Sequence, residues 1–121
     1  MRLLFDHNVD RRFRRHLPEH FIQTTRELRF EQLANGLLLQ AASDTGFDAI
    51  LCIDKKIEYE QNLAVLPLSV IVLDAFTNAI HGLAPFAPHL LKLLGSPLEK
   101  RLYFIDRNGN AVCVTAPRPK C

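Results

Sequence analysis

Four apolar runs in this chain end in aspartate: Leu3-Leu4-Phe5-Asp6, Ile50-Leu51-Cys52-Ile53-Asp54, Val70-Ile71-Val72-Leu73-Asp74 and Leu102-Tyr103-Phe104-Ile105-Asp106. The first three read as buried strands, each followed by a helical segment. In a parallel α/β sheet the carboxyl ends of all strands share one edge, and ligands bind in the crevice there. Asp6, Asp54 and Asp74 can therefore converge on one site although they lie far apart in sequence. Clustered carboxylates repel unless a cation sits between them, so the pattern points to a divalent metal and to phosphate chemistry. Aspartate is also a strong helix N-cap, and a strand-loop-helix junction uses one. Taken singly, each of these residues reads as a cap or turn residue. Only the repetition at corresponding strand ends carries the metal reading.

The rest of the chain fits the same alternation. Strands are predicted over residues 2–6, 21–25, 48–53, 69–73 and 101–105. Helices are predicted from about residue 9 to just before Pro18, from an N-cap at Asn35 to Gly46, over 55–63, and from Thr77 or Asn78 to Gly95 with interruptions at Pro85 and Pro88. Residues 26–33 read as a loop with a helical turn. Asn108-Gly109 is the strongest hairpin signal in the chain and returns the backbone as Ala111-Val112-Cys113-Val114-Thr115. The order predicts an α/β fold, a three-layer α/β/α sandwich with a mostly parallel sheet and a C-terminal β-hairpin. Residues 1–116 read as one domain and 117–121 as a short tail. No glycine-rich loop follows the first strand, which disfavours a P-loop or dinucleotide fold.

Composition narrows the class. A chain of 121 residues with 48% hydrophobic and 23% charged content suits a single globular domain with a real core. No apolar stretch approaches a membrane span, and the opening does not read as a signal peptide, so a cytoplasmic protein is expected. The cysteines Cys52, Cys113 and Cys121 are widely spaced and show no zinc-ligand pairing. Nothing near them in sequence would activate a thiol.

The formal charge of +2 says little, but four arginines crowd the first helix. Val9, Phe13 and Leu17 recur at four-residue spacing and would face the core. Arg11, Arg12, Arg14 and Arg15 would then fan over the solvent side. That is either a solvated helix face or a surface for a phosphate backbone.

With these residues in place, the sequence resembles the PIN-like toxin-component family, small bacterial proteins of the PIN nuclease superfamily. Three stretches carry the resemblance. Leu3 to Val9 matches the family's opening, an apolar strand followed by Asp-Glu-Asn and an aliphatic residue. Asn35-Gly36-Leu37-Leu38 matches a stretch that usually reads Asn-Gly-Glu-Leu. Gly46 to Lys55 matches a strand ending in Asp-Lys or Asp-Arg and is the most specific of the three. The resemblance implies an α/β/α fold, a metal-dependent endoribonuclease ancestry with RNA as substrate, and a small antitoxin protein as partner; a homodimer stays open. It places Asp6 and Asp54 where the superfamily binds magnesium or manganese, with Asn8 and Lys55 at matching positions; His7 beside Asp6 and Asp74 at its own strand end are supporting candidates from the sequence pattern. Arg11, Arg12, Arg15, Lys55 and Lys56 would position the RNA backbone.

Two departures separate the chain from the family pattern. His7 stands where the opening often has Glu, and Leu37 stands where the helix usually presents Glu. Leucine cannot coordinate a hard cation. One ion held by Asp6 and Asp54 with water and phosphate survives this loss, whereas a two-metal clamp is harder to build. Three readings follow: a metal-dependent endoribonuclease, an inactive PIN-like module binding RNA or protein, and, more distantly, a receiver-like domain with Asp54 as phosphoacceptor. Leu37 is expected to pack near the acidic edge. Glu58 would point toward it or lie in solvent, and Asp106 belongs more naturally to the hairpin.

Overall fold

The computed structural model describes residues 1–116; the expected tail, with Cys121, lies outside them. Five strands run parallel: β1 (Arg2–Phe5), β2 (Phe21–Thr24), β3 (Ala49–Cys52), β4 (Ser69–Leu73) and β5 (Leu102–Ile105). A sixth, β6 (Ala111–Val114), pairs antiparallel with β5. The sheet order is β2-β1-β3-β4-β5-β6. Every residue of β3 and β4 is buried, as expected of parallel strands covered on both faces.

The pleat divides the apolar residues between two cores. Leu3, Phe5, Leu51, Ile71, Leu73 and Ile105 lie on one face, packed with Phe13, Leu83 and Leu90. Leu4, Ile50, Cys52, Val70, Val72 and Leu102 lie on the other, packed with Leu38, Leu39, Ala42 and Ile57. Helical segments therefore cover both faces, and the expected three-layer sandwich is the observed one. The cover on the second face is α1 (Asn35–Thr45) and α2 (Ile57–Glu60). The first face is covered by a 3-10 helix (Arg11–His16), by α3 (Ile80–Leu83) and by α4 (Ala87–Leu94).

The local differences from expectation have physical causes. The first helical segment is 3-10, not α; the stretch between Asp10 and Pro18 is too short for an isolated α-helix to propagate well. Val9, Phe13 and Leu17 are nonetheless all buried. Asp10, whose side chain accepts the Arg12 N–H at 2.9 Å, is the cap of this segment. α1 begins at Asn35 itself, with Ala34 in the capping position, and Gly46 ends it at φ +98°, donating to the Ala42 and Ser43 carbonyls. α2 is shorter than residues 55–63, because Gln61 is extended and the Asn62 side chain accepts the Ala64 N–H at 3.1 Å. That local turn replaces the next helical turn. Pro85 and Pro88 each stand in the first turn of their own helical segment, where the missing N–H is no loss. In the β5–β6 hairpin, Gly109 has φ +88°, and a Cβ there would run into the His89 ring. No helix among the described residues is long and apolar enough to cross a membrane.

Candidate functional site

The chain leaves β1 for β2 on one side of it and later returns to β3 on the other. Such a reversal opens a crevice at the carboxyl ends of β1 and β3, the usual ligand position in doubly wound sheets. Asp6 extends β1 into this crevice, and its N–H donates to the Leu51 carbonyl at 3.0 Å. Its carboxylate is 8% exposed. Oδ1 accepts the His7 N–H at 2.8 Å and lies 2.9 Å from His7 Nδ1. Oδ2 carries no hydrogen bond or ion pair among the described residues. Asp6 is thus not the N-cap of the following segment, a role that Asp10 fills. It also lines a cleft of about 760 Å³ on its β2 side, with His7, Arg11, Thr24, Arg26 and Glu31; Asp54 is not among the residues lining that cleft. Just beyond β2, Thr25 donates its N–H to the Phe5 carbonyl at 3.0 Å. Thr25 is wholly buried, and its hydroxyl has no hydrogen-bond partner.

Pleat parity relates the acidic residues. Asp6 follows Leu4 by two positions, Asp54 follows Cys52 by two, and Asp74 follows Val72 by two. Leu4, Cys52 and Val72 all face α1 and α2, so the three aspartates share one even spacing from that face, each lying just beyond its strand end. Cys52 is buried at the end of β3. Burial is the main force pushing its thiol pKa up, and the negative fields of Asp6 and of Asp54 push it further. Both carboxylates therefore act on one buried sulfur, which itself is no nucleophile. One oxygen of Asp54 is occupied: Oδ1 accepts the Lys56 N–H at 3.0 Å, a turn-forming bond at the start of α2. The capping role weighed for these aspartates thus holds in part for Asp54.

Asp74 is different. Its Oδ1 lies 2.9 Å from Lys55 Nζ and its Oδ2 lies 3.4 Å from Arg107 Nε. Two side-chain cations already compensate it. Arg107 in turn lies over the Phe76 ring at 3.4 Å from the centroid. Asp106 belongs to the hairpin, accepting the Asn108 and Asn110 N–H groups at 2.9 Å each. These bonds, that from Asn110 foremost, hold its carboxyl below the usual range. Glu58 is buried, at 4% exposure, rather than in solvent.

Among the described residues, no three His, Cys, Asp or Glu side chains are grouped to hold a metal ion. Asp6 and Asp54 follow the carboxyl ends of the neighbouring strands β1 and β3. That pair suits one hard cation that keeps most of its water, and not two bridged ions. Leu37, in the first turn of α1, is 65% exposed and does not pack against the edge as expected.

The basic residues separate into paired and unpaired groups. Arg12 is held by Asp10 at 2.7 Å and Arg14 by Glu27 at 3.1 Å. Arg11 and Arg15 are exposed and carry no ion pair among the described residues. Arg11 shares the Asp6 cleft. Lys55 turns to Asp74, Lys56 is exposed, and Asn8 is half-buried in the turn after β1. Sequence reasoning did not single out Arg26, Phe76 or Arg107. Their placement depends on tertiary neighbours, and no local pattern announces it. No family model, no curated protein and no solved structure matches this chain.

Proposed function

We propose that the crevice between β1 and β3 binds one magnesium or manganese ion through Asp6 and Asp54, and that the chain is a PIN-like metal-dependent endoribonuclease. The observation that carries this reading is Asp6, a nearly buried carboxylate at the carboxyl end of β1 with one oxygen unused, on the strand that pairs with β3, which leads to Asp54. Buried carboxylates are normally paired or bound to metal, and among the described residues the only cationic group on Asp6 is the His7 imidazole, charged only when protonated. When bound, the ion would supply an acidified water and neutralise phosphate charge. Asp6 and Asp54 hold it, while Asn8 and His7 border the Asp6 side. Arg11, with Arg15 and Lys56 further out, attracts the RNA backbone. Arg12 contributes less, since Asp10 shares its charge. Lys55 and Asp74 form a fixed pair that borders the site. In this reading a small antitoxin protein is the partner in the cytoplasm, and a homodimer is one possible assembly.

The test is cleavage of single-stranded RNA with magnesium or manganese, against chelator and against Asp6→Asn and Asp54→Asn. Loss of cleavage in all three supports the reading; cleavage that persists in chelator overturns it.

One observation favours a second reading, an inactive PIN-like module that binds RNA or protein. Among the described residues no third acid joins Asp6 and Asp54, and the position of the expected helix glutamate is the exposed Leu37. RNA binding without cleavage under every ion tested would select it.

A further inference from the structure

We infer that Phe76 is a stacking platform for one base of a single-stranded RNA lying across the carboxyl edge; the inference rests on the RNA reading above. Phe76 is 81% exposed, more than any other large hydrophobic side chain described. It stands two residues beyond Asp74, at the same sheet edge as Asp6 and Asp54.

An exposed ring alone says nothing, because surfaces carry many. This one is held in place. The Arg107 guanidinium lies on one ring face at 3.4 Å from the centroid. Arg107 Nε is 3.4 Å from Asp74 Oδ2, and Asp74 Oδ1 is 2.9 Å from Lys55 Nζ. Ring, guanidinium, carboxylate and ammonium thus form one connected series that holds an otherwise largely exposed ring in place. Beside it lies a recess of about 240 Å³ lined by Phe76, Pro85, Phe86, His89, Asp74 and Arg107. The recess is smaller than a pocket for a drug-sized ligand and is walled mostly by rings, which suits one planar base.

The charge around the ring fits the same occupant. Arg107 lies on the ring, and Lys55 joins it through the shared carboxylate of Asp74, so two cations stand against one acid here. Alternation of a flat aromatic with cations is how single strands are held without sequence readout: bases stack, and phosphates meet the positive groups. Arginine planes stack bases as well, so Arg107 can slide from the ring onto an incoming base without leaving the site.

Phe76→Trp tests this directly. The chain has no tryptophan, so the new indole is the only one and reports stacking by quenching. The variant is titrated at low salt, in chelator, with oligouridylate, oligoadenylate and an abasic oligomer of equal length. Both base-bearing oligomers should quench saturably, and the abasic one should bind roughly tenfold more weakly or worse. Phe76→Leu, which keeps an apolar side chain at an exposed position, should weaken oligouridylate binding by a similar factor with unchanged circular dichroism. Equal affinity for the abasic oligomer, an unaffected Phe76→Leu variant, or no binding of any oligomer would each overturn the inference. Without divalent ions, the result is independent of catalysis. Metal-dependent cleavage without stacking removes only the platform, and stacking without cleavage under any ion removes only the nuclease.

Discussion

Lys55 Nζ lies 2.9 Å from Asp74 Oδ1 and ties the segment after β3 to the end of β4. The two neighbouring strand ends are thereby closed by a protein cation. Among the described residues no side-chain cation bridges the β1 and β3 ends in this way, and it is to Asp6 and Asp54 that the proposed ion is assigned.

Asp74→Asn is therefore expected to leave manganese affinity within about twofold in calorimetry. The cost in stability should be under about 1 kcal/mol, because both partners are partly exposed. A loss of manganese binding comparable to that of Asp6→Asn would place Asp74 among the ligands.

Asp6→Asn should behave oppositely. In chelator its melting temperature should stay close to the native value, since asparagine keeps the shape and the His7 N–H bond. With manganese at about a hundred times its dissociation constant, the native chain gains about 2.7 kcal/mol, and Asp6→Asn gains none. Differential scanning calorimetry with and without the ion reads both effects. Equal gains would remove Asp6 from the site.

Asp10 governs a pH dependence. Its hydrogen bonds with Arg12, side chain first and backbone second, lower its pKa from 3.8 to about 2. A depressed carboxyl stabilises the fold above the unfolded value and loses that contribution as pH falls toward the folded one. The gap in melting temperature between the native chain and Asp10→Asn should thus be full above about pH 4 and close toward pH 2. Asparagine retains the cap, so the gap measures the ion pair. A gap that widened on acidification would contradict the assignment.

The thiols should react unequally. Cys52 is buried with its thiol pKa raised, whereas Cys113 is exposed on β6. In a Cys121→Ser background, an alkylating reagent at neutral pH should modify Cys113 quickly and Cys52 only on unfolding. Fast modification of Cys52, read by mass spectrometry, would mean that the β1–β3 crevice is open down to the sulfur.

Gly109→Ala should cost more than about 1 kcal/mol, since its φ of +88° and the His89 ring both oppose a side chain. Gly36→Ala has only ordinary contact with Gln61 and should be neutral or stabilise α1 by up to about 1 kcal/mol. Urea titration of the two variants checks both values.

What the sequence disclosed follows from how local each signal is. Residues 69–73 form β4 as predicted, because an unbroken apolar run stands between Pro67 and Asp74 and is buried on both faces. The hairpin was legible from Asn108-Gly109, whose backbone demand is carried by those residues themselves. The first helix was half legible. Core contacts depend on residue spacing and were foreseen, but the 3-10 geometry depends on segment length and the Asp10 cap. At the site, the strand-ending aspartates were legible one by one. Their division was not, because it depends on Lys55 and Arg107 reaching Asp74, and Arg107 comes from thirty-three residues away. Phe76 gave no signal for the same reason: its fixed posture is made by that distant guanidinium.

The shared parity of Asp6, Asp54 and Asp74 limits how this sequence can drift. A loop on the far side of the molecule can lengthen freely without moving them relative to one another. One residue deleted within residues 50–53 would turn Asp54 toward the opposite helical layer, even though every amino acid of the acidic edge remained present. Relatives of such a chain should accordingly vary in loop length while keeping, between each buried strand centre and its aspartate, an even count.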